Sequence, residues 1–372
     1  METAANLCKC NKSSEKFEAD VTFLQIYEQI KSEGKGKTLD ELIESLVNRV
    51  DPNLLFRHQL KTISYSIGMM NRIIKEGHTE KMVKVSEALQ THGIEMLGEA
   101  VAARPQVKAV LIAGPSSSGK TTFSKKLSRA LALNGLQTVC LSFDDYYVDR
   151  DRTPLDEDGE YDYESLYALD VEKFQRDFAQ LLSGKEIELP RYDFLTGKSV
   201  MSGKRVRLEP HTILIMEGIH ALNPELTSRI PDEALFRIYI SGLTVAKNDD
   251  GTYSPTTDNR LIRRMVRDAQ FRNTNAADTL ARWPSVRRGE DKWIVPFQTH
   301  SDVNFCTAFQ YELALLKRQA LPLLNEVPED SPQYPEAARL KWVLHRFMDI
   351  PSELLPPDSL LREFIGGSAF EY

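Results

Sequence analysis

The feature that most constrains this chain is the segment GPSSSGKT, residues 114–121. It fits the pattern G-x-x-x-x-G-K-[ST] of a phosphate-binding loop. A short apolar run, residues 107–113, precedes it, and a helical pattern of apolar residues, 120–133, follows it. The motif requires this order of strand, loop and helix, so the sequence predicts a nucleotide-binding domain built around the loop.

Each part of this loop predicts a contact with a nucleotide. Backbone N–H groups of a glycine-rich turn can point at phosphate oxygens, and the next helix adds positive potential at its N-terminus. Lys120 would reach the β- and γ-phosphates, and the Thr121 hydroxyl would hold Mg²⁺. The expected cofactors are therefore ATP and Mg²⁺. The predicted cofactor-binding residues are Gly114, Ser116, Ser117, Ser118, Gly119, Lys120, Thr121 and Thr122.

Further short runs rich in β-branched and aromatic residues predict the other strands of this domain. Helical patterns alternate with them, which is typical of a central parallel sheet. The predicted fold class is therefore α/β, a P-loop nucleotide-binding fold with a mainly parallel sheet. The predicted strands are 107–113, 137–143, 212–217 and 235–241.

The first hundred residues have an all-helical pattern instead. Apolar residues repeat every three to four positions after Thr38, which forms a capping box with Glu41. Helical stretches of about 53–75 and 79–103 follow before Pro105 breaks the pattern. The sequence thus predicts a flexible tail, a helical region, the P-loop domain and a C-terminal extension packed on that domain. Their bounds are 1–36, 37–104, 105–325 and 326–372.

Composition narrows the classes of function. The net charge of −7, from 47 Lys and Arg against 54 Asp and Glu, disfavours a nucleic-acid coat. No apolar run approaches the roughly 18 residues of a membrane span, and four cysteines are too few for a disulfide framework. We therefore expect a cytoplasmic protein without membrane or nucleic-acid partners, and free thiols at Cys8 and Cys10. The sequence leaves the oligomeric state open, a homo-oligomer included.

Acidic residues at two predicted strand ends distinguish a kinase from other proteins that contain a phosphate-binding loop. Asp144 and Asp145 follow the second predicted strand, and Glu217 ends the third. The carboxyl ends of parallel strands meet at the ligand-binding edge of such a sheet. One carboxylate of the pair could take the proton of an acceptor hydroxyl, and Glu217 could anchor Mg²⁺. The alternative for the pair is an acidic surface turn.

An arginine-rich helix is predicted over residues 258–268. At about 100° per residue, its apolar residues fall on one side and its arginines on the other. Arginines closing over a triphosphate would neutralise charge that develops during phosphoryl transfer. The alternative is a solvated basic face paired with carboxylates. The arginines of this helix and the following segment are Arg260, Arg263, Arg264, Arg267, Arg272, Arg282, Arg287 and Arg288.

These motifs together resemble the uridine kinase and phosphoribulokinase family of P-loop kinases. The similar segments, within about 105–320, are GPSSSGKTT, FDDYY, RYDF, MEGIH and NRLIRRMVRD. WPSVRRGEDKWI and the closing REFIGGSAF are similar to a bacterial-type, uridine-kinase-like subgroup, whose kinase follows a threonyl-tRNA-synthetase-like region. The N-terminal part is short here, so no tRNA-related role is carried over.

The resemblance implies roles for individual residues. It makes Asp144 the general base and a metal candidate, and Glu217 the partner of Thr121 around Mg²⁺. It implies that Asp162 holds the ribose hydroxyls and that Tyr192 is a wall of the acceptor pocket. The implied catalytic residues are Lys120, Asp144, Arg267 and Arg272, and Arg264 is an implied substrate contact.

One position departs from the family pattern. After YDF, the nucleoside kinases place a histidine that reads the pyrimidine edge, whereas this chain has Gly197 there. A site without that polar contact loses power to discriminate bases, so we expect loose base selectivity. Lys198 or Arg282 could replace the histidine, and Arg282 is counted as a substrate-binding residue.

The sequence thus predicts an ATP- and Mg²⁺-dependent kinase that phosphorylates a primary hydroxyl of a small molecule. The leading acceptor is the 5′-hydroxyl of a nucleoside, and another sugar or a vitamin alcohol is the alternative. A different class is a regulatory protein that senses ATP without kinase activity. Asp144 discriminates between the classes, because a sensor needs no base within reach of an acceptor.

Overall fold

The computed structural model of the chain describes residues 38–47, 63–193, 196–248 and 251–371. The predicted tail, 1–36, and the pair Cys8 and Cys10 lie outside the described residues. No helix of the described part is both long and apolar enough to cross a membrane.

The strands form one central sheet and two small two-stranded sheets. They are β1 (Ile63–Ser66), β2 (Ala109–Ala113), β3 (Gln137–Ser142), β4 (Ile187–Asp193), β5 (Lys198–Val206), β6 (Thr212–Glu217), β7 (Leu235–Ser241), β8 (Thr244–Lys247) and β9 (Val303–Cys306). The central sheet has the order β3-β6-β2-β7-β9, and each neighbouring pair is parallel. The predicted α/β class with a mainly parallel sheet is therefore confirmed.

Helices connect the strands and precede and follow the sheet. They are α1 (Leu39–Val47), α2 (Ile67–Lys75), α3 (Thr79–Ala102), α4 (Lys120–Leu133), α5 (Val171–Leu182), α6 (Pro224–Thr227), α7 (Asp258–Phe271), α8 (Ala276–Trp293), α9 (Glu312–Asn325), α10 (Tyr334–His345) and α11 (Arg362–Ile365). Of these, α4 and α7 begin at the residues where the sequence pattern predicts them.

Two buried cores lie on opposite faces of the central sheet. Side chains alternate along β2, so Val110 and Ile112 join one core and Leu111 joins the other. The first core draws on α2, α3, α4, α7, α9 and α10, and the second includes Phe174 and Phe178 of α5. Because β2 is the middle strand and is buried along its whole length, the loop at its end is held on a rigid support.

The N-terminal region differs in one element from its predicted pattern. The capping box is present: Glu41 N–H donates to Thr38 Oγ1 at 3.2 Å, and Thr38 N–H donates to Glu41 Oε2 at 2.7 Å. Residues 63–66, however, form β1, which pairs in parallel with β8. The predicted helix of about 53–75 is therefore wrong over 63–66, because pairing with a distant strand overrides the local pattern.

The long helix α3 lies against α4, the helix that follows the phosphate loop. A Cβ added at Gly98 of α3 would lie 2.9 Å from the Ala130 Cβ of α4, so the two backbones approach closely. Lys126 Nζ of α4 also donates to Thr91 Oγ1 at 3.0 Å. The bounds of the four predicted regions stay predictions, but α3 contacts the helix that follows the phosphate loop directly.

Candidate active site

The predicted phosphate loop lies between β2 and α4, as the motif requires. Gly119, directly before α4, has a φ of +85°, a left-handed conformation that favours glycine. At Gly114, a Cβ would collide with the Ile240 carbonyl oxygen of the neighbouring strand. Both glycines therefore allow the loop to wrap tightly at the carboxyl end of the sheet.

Lys120 folds back over the loop that it follows. Its Nζ donates to the Gly114 carbonyl oxygen at 3.0 Å and to the Pro115 carbonyl oxygen at 3.3 Å. These bonds hold the ammonium group over the loop, where phosphates would bind. The contacts of the eight loop residues with ATP stay predictions.

Thr121 and Glu217 form a pair of oxygen ligands beside the loop. The Thr121 hydroxyl donates to Glu217 Oε1 at 3.2 Å. Burial and the charge of Asp144 raise the pKa of Glu217 to about 7, although the charge of Lys120 acts in the opposite direction. Mg²⁺ in a kinase takes one or two protein oxygens together with waters and substrate phosphates, so this pair fits it. Within the described residues, no three His, Cys, Asp or Glu side chains form a metal cluster of their own.

The adjacent carboxylates Asp144 and Asp145 face different surroundings. They lie in a short 3-10 turn after β3, where Asp144 N–H donates to Ser142 Oγ at 3.2 Å. The charge of Asp144 acts on Glu217 and raises the pKa of that carboxyl. Asp145 accepts a backbone hydrogen bond from Tyr192 in the β4–β5 hairpin, and burial raises its pKa. Asp144 thus interacts with the Thr121–Glu217 pair and Asp145 with the hairpin, and the role of Asp144 as the base stays a prediction.

Aromatic side chains lie next to the predicted base. The ring centroids of Tyr147 and Tyr192 are 5.4 Å apart, and the Tyr147 hydroxyl donates to the Tyr163 carbonyl oxygen at 3.3 Å. Burial and the charges of Asp144 and Glu164 raise the pKa of Tyr147. Tyr147 therefore contacts the predicted pocket wall at Tyr192 and interacts electrostatically with both carboxylates.

Glu164 is a site residue that the sequence analysis missed. Its Oε2 is buried without a hydrogen-bond partner among the described residues. Burial raises the pKa of Glu164 to about 7, although the charges of Arg264 and Lys120 act in the opposite direction, so the carboxyl interacts electrostatically with the loop lysine. The predicted Asp162 instead accepts the Glu164 N–H at 3.1 Å. The sequence signal that could have identified Glu164 is its place as the second acidic residue of the segment YDYE.

Arg260 and Arg263 of α7 are structural rather than mobile. Both are fully buried. Arg260 makes two bonds to Glu290, at 2.7 and 2.8 Å, and Arg263 pairs with Glu312. Arg260 Nη1 also donates to the Ser116 carbonyl oxygen at 3.3 Å, and this bond helps to hold the phosphate loop in place. The interpretation of every α7 arginine as part of a mobile or solvated face is therefore wrong for these two.

The other arginines of α7 gather around one carboxylate, Asp268. Arg264 Nε lies 3.3 Å and Arg267 Nη2 lies 2.6 Å from its oxygens. Arg272 Nε, from the end of the helix, lies 3.7 Å away. Arg264 Nη1 additionally donates to Ser116 Oγ at 2.8 Å, so this group borders the phosphate loop.

The side chain of Arg150 occupies the space beside Gly197, the glycine on the acceptor side. Gly197 has a φ of +69°, and an added Cβ would lie 2.7 Å from Arg150 Nε. Arg150 N–H donates to the Gly197 carbonyl oxygen at 2.8 Å, and the Arg150 side chain hydrogen bonds Tyr192. The sequence does not predict the contact between Arg150 and Gly197, because these residues are 47 positions apart.

The two residues predicted to replace the histidine have different surroundings. Lys198 Nζ pairs with Asp149 at 3.0 Å and with Asp151 at 3.5 Å. Arg282 is exposed on α8. Its role in acceptor binding stays a prediction.

Comparisons with known proteins give a consistent similarity. A family model described as Phosphoribulokinase / Uridine kinase family matches residues 109–313. The uridine kinase of Halobacterium salinarum is 28% identical over 196 residues, 52% of this chain and 78% of that protein. The uridine kinase of Macrococcus caseolyticus is 28% identical over 193 residues, 52% of this chain and 84% of that protein. A structure of a possible uridine kinase from Bacillus stearothermophilus, 21% identical, covers 57% of this chain and 96% of its own, with a TM-score of 0.39.

Proposed function

This chain belongs to the phosphoribulokinase/uridine kinase family, and on that basis we propose that it transfers the γ-phosphoryl group of ATP to the 5′-hydroxyl of a nucleoside. It is a phosphotransferase with an alcohol group as acceptor. The observation that carries the finer proposal is the grouping of Asp144 with the Thr121–Glu217 pair beside Lys120. A protein that only senses ATP has no need of that carboxylate. We place the enzyme in the cytoplasm, where ATP is made and thiols stay reduced.

The reaction needs a base, a charge clamp and a metal. Asp144 takes the proton of the acceptor hydroxyl, whose oxygen then bonds to the γ-phosphorus while the bond to the ADP oxygen breaks. Lys120 and the arginines around Asp268 offset the negative charge on the transferred group. Thr121 and Glu217 would hold Mg²⁺, which when bound neutralises phosphate charge.

The acceptor side has groups for a ribose and for a base. The carboxylates of Glu164 and Asp162 can accept hydrogen bonds from a vicinal diol, and the Tyr147 and Tyr192 rings can contact a base. Arg150, which bonds Tyr192, carries only hydrogen-bond donors. Hydrogen-bond donors can bond to a carbonyl oxygen of the base better than to an amino group. We therefore expect the exocyclic group of the base to affect activity more than the size of its ring system.

ADP release from purified enzyme, measured against nucleosides, sugars and pantothenate, tests this proposal. We expect both pyrimidine and purine ribonucleosides to be phosphorylated. Uridine should exceed cytidine, and inosine should exceed adenosine, because each pair differs by one carbonyl against one amino group. Activity confined to a substrate without a vicinal diol would remove nucleosides from the proposal while leaving the kinase chemistry intact.

Replacing Arg267 or Arg272 with alanine should lower turnover more than ATP affinity. A group that acts on charge developing in the transition state changes kcat more than ground-state binding. We expect kcat to fall at least about tenfold, with the Kd for ATP changed less than about threefold. Arg318→Ala is the matched control, because its side chain is 51% exposed against 52% for Arg272 and lies on α9. Equal losses in kcat and affinity would make these arginines ordinary binding residues.

Glu164→Gln should impair acceptor use without harming the fold. Loss of a hydrogen bond to a charged group, about 1.5 kcal/mol or more, predicts at least a tenfold fall in kcat/KM for the acceptor. The KM for ATP should stay within about twofold. Asp162→Asn, which leaves Glu164 in place, should have the smaller effect.

The pH dependence of stability separates this role from a structural one. The folded-state pKa of Glu164 is raised to about 7 by burial, so its ionisation on going from about pH 4.5 to 7 destabilises the fold. Glu164→Gln should therefore have a Tm at pH 8 that equals or exceeds that of the wild type. A lower Tm together with unchanged acceptor kinetics would make Glu164 a structural residue.

A further inference from the structure

The C-terminal segment 359–367 lies directly on the phosphate-binding loop. Leu360 is fully buried, and its side chain fills the space where a Cβ of Gly119 would be. From the next turn, Glu363 reaches the N-terminus of α4. Its Oε2 accepts the Thr122 N–H at 3.0 Å and the Thr122 hydroxyl at 2.8 Å.

Thr122 offers the donors that a nucleotide phosphate would use. It is the third residue of α4, where backbone N–H groups have no partner within the helix. Gly119, the residue before α4, has no side chain that could cap them. In a phosphate-binding loop these N–H groups hold phosphate oxygens. A carboxylate oxygen and a phosphate oxygen are equivalent acceptors for them, so both cannot use the Thr122 N–H fully at once.

We propose that Glu363 is an internal competitor of the nucleotide: its carboxylate holds the Thr122 donors in the empty enzyme, and the phosphates of ATP displace it. The inference rests on the proposed function only in that the loop binds ATP. The charge of Glu363 also acts on Glu217, the partner of Thr121 beside the loop.

The packing of the segment indicates how far the displacement extends. Leu361 and Phe364 are fully buried, and Ser359 hydrogen bonds Glu87 of α3. Arg362 donates to the carbonyl oxygens of Leu355 and Ser352, which precede the segment, at 2.8 and 3.0 Å. The backbone is therefore anchored on both sides of Glu363. ATP needs only the carboxylate to turn away, so the C-terminal segment stays in place.

Equilibrium binding to the full chain tests the competition. Glu363→Gln replaces a charged acceptor with a neutral one, and hydrogen bonds to charged groups are roughly twice as strong. We expect the variant to bind ATP and inorganic tripolyphosphate about tenfold more tightly than the wild type. Glu363→Ala should bind at least as tightly as Glu363→Gln. Adenosine, which has no phosphate, should bind all three proteins equally.

The matched control is Glu353→Gln, the same charge change on an exposed residue of the C-terminal extension. It should leave all three affinities unchanged. ATP affinity that is unchanged or weaker in both Glu363 variants would overturn the proposal, as would an equal gain for adenosine. The test needs no acceptor, so a chain that binds ATP competitively yet phosphorylates no alcohol contradicts the proposed function alone.

Discussion

Lys120→Ala is expected to reduce phosphoryl transfer by at least about a thousandfold, since the ammonium both binds the β- and γ-phosphates and offsets charge as the bond breaks. In the structure its Nζ is held over the loop by the carbonyl oxygens of Gly114 and Pro115. ADP release at saturating ATP and acceptor measures the effect. Near-normal turnover would remove the phosphate loop from the mechanism.

A matched control distinguishes this loss from a general loss of positive charge. Lys108 is exposed directly before β2, at the opposite end of the strand from the loop. Lys108→Ala therefore makes the same chemical change before the start of β2, away from the site. It should retain turnover within about twofold, the usual scale of a surface substitution. A similar loss in both variants would point to a general loss of positive charge and not to the ammonium group over the loop.

The sequence predicts the nucleotide side of the site well, because its signals are local. The strand, the glycine loop and the helix that begins at Lys120 lie within 25 consecutive residues, 109–133. The apolar runs of β6 and β7 are equally continuous. A central strand buried on both faces consists mostly of apolar residues, so its bounds can be identified directly in the sequence.

Contacts between distant segments are what the sequence could not predict. The helical wheel of α7 separates polar from apolar positions, yet it cannot tell an exposed arginine from one paired with a buried carboxylate. Arg260 and Arg263 are buried because Glu290 and Glu312, 30 and 49 positions away, neutralise them. The contact of Glu363 with Thr122 spans 241 positions, and local sequence patterns cannot predict it for the same reason.

On the acceptor side, the sequence also could not distinguish between two candidate carboxylates. Family resemblance points to Asp162, whereas the carboxyl buried next to Lys120 and Arg264 belongs to Glu164. Both lie in one short segment, and the bond from Glu164 N–H shows that the Asp162 side chain turns back to the backbone of that segment. Adjacent acidic residues can be told apart only by their surroundings.

Asp144 and Asp145 pose the same problem at the predicted base, and a pair of substitutions resolves it. Asp144→Asn should lower kcat by at least about a hundredfold, the usual scale of general-base catalysis, because an amide cannot take the acceptor proton. ATP should still bind, since the loop and the Thr121–Glu217 pair remain. Single-turnover kinetics with pre-bound ATP measure the chemical step separately from binding.

Asp145→Asn is the matched control, because it makes the same change one residue away. Its carboxyl faces the β4–β5 hairpin, and burial raises its pKa, so the fold gains little from its charge. We expect kcat to fall less than about fivefold and the Tm at pH 7 to hold or rise. The raised pKa also means that stability from this group falls as the pH increases from about 4 toward its folded-state value, and the Asn variant should lack that fall. Reversed effects on kcat would mean that Asp145, and not Asp144, reaches the acceptor hydroxyl.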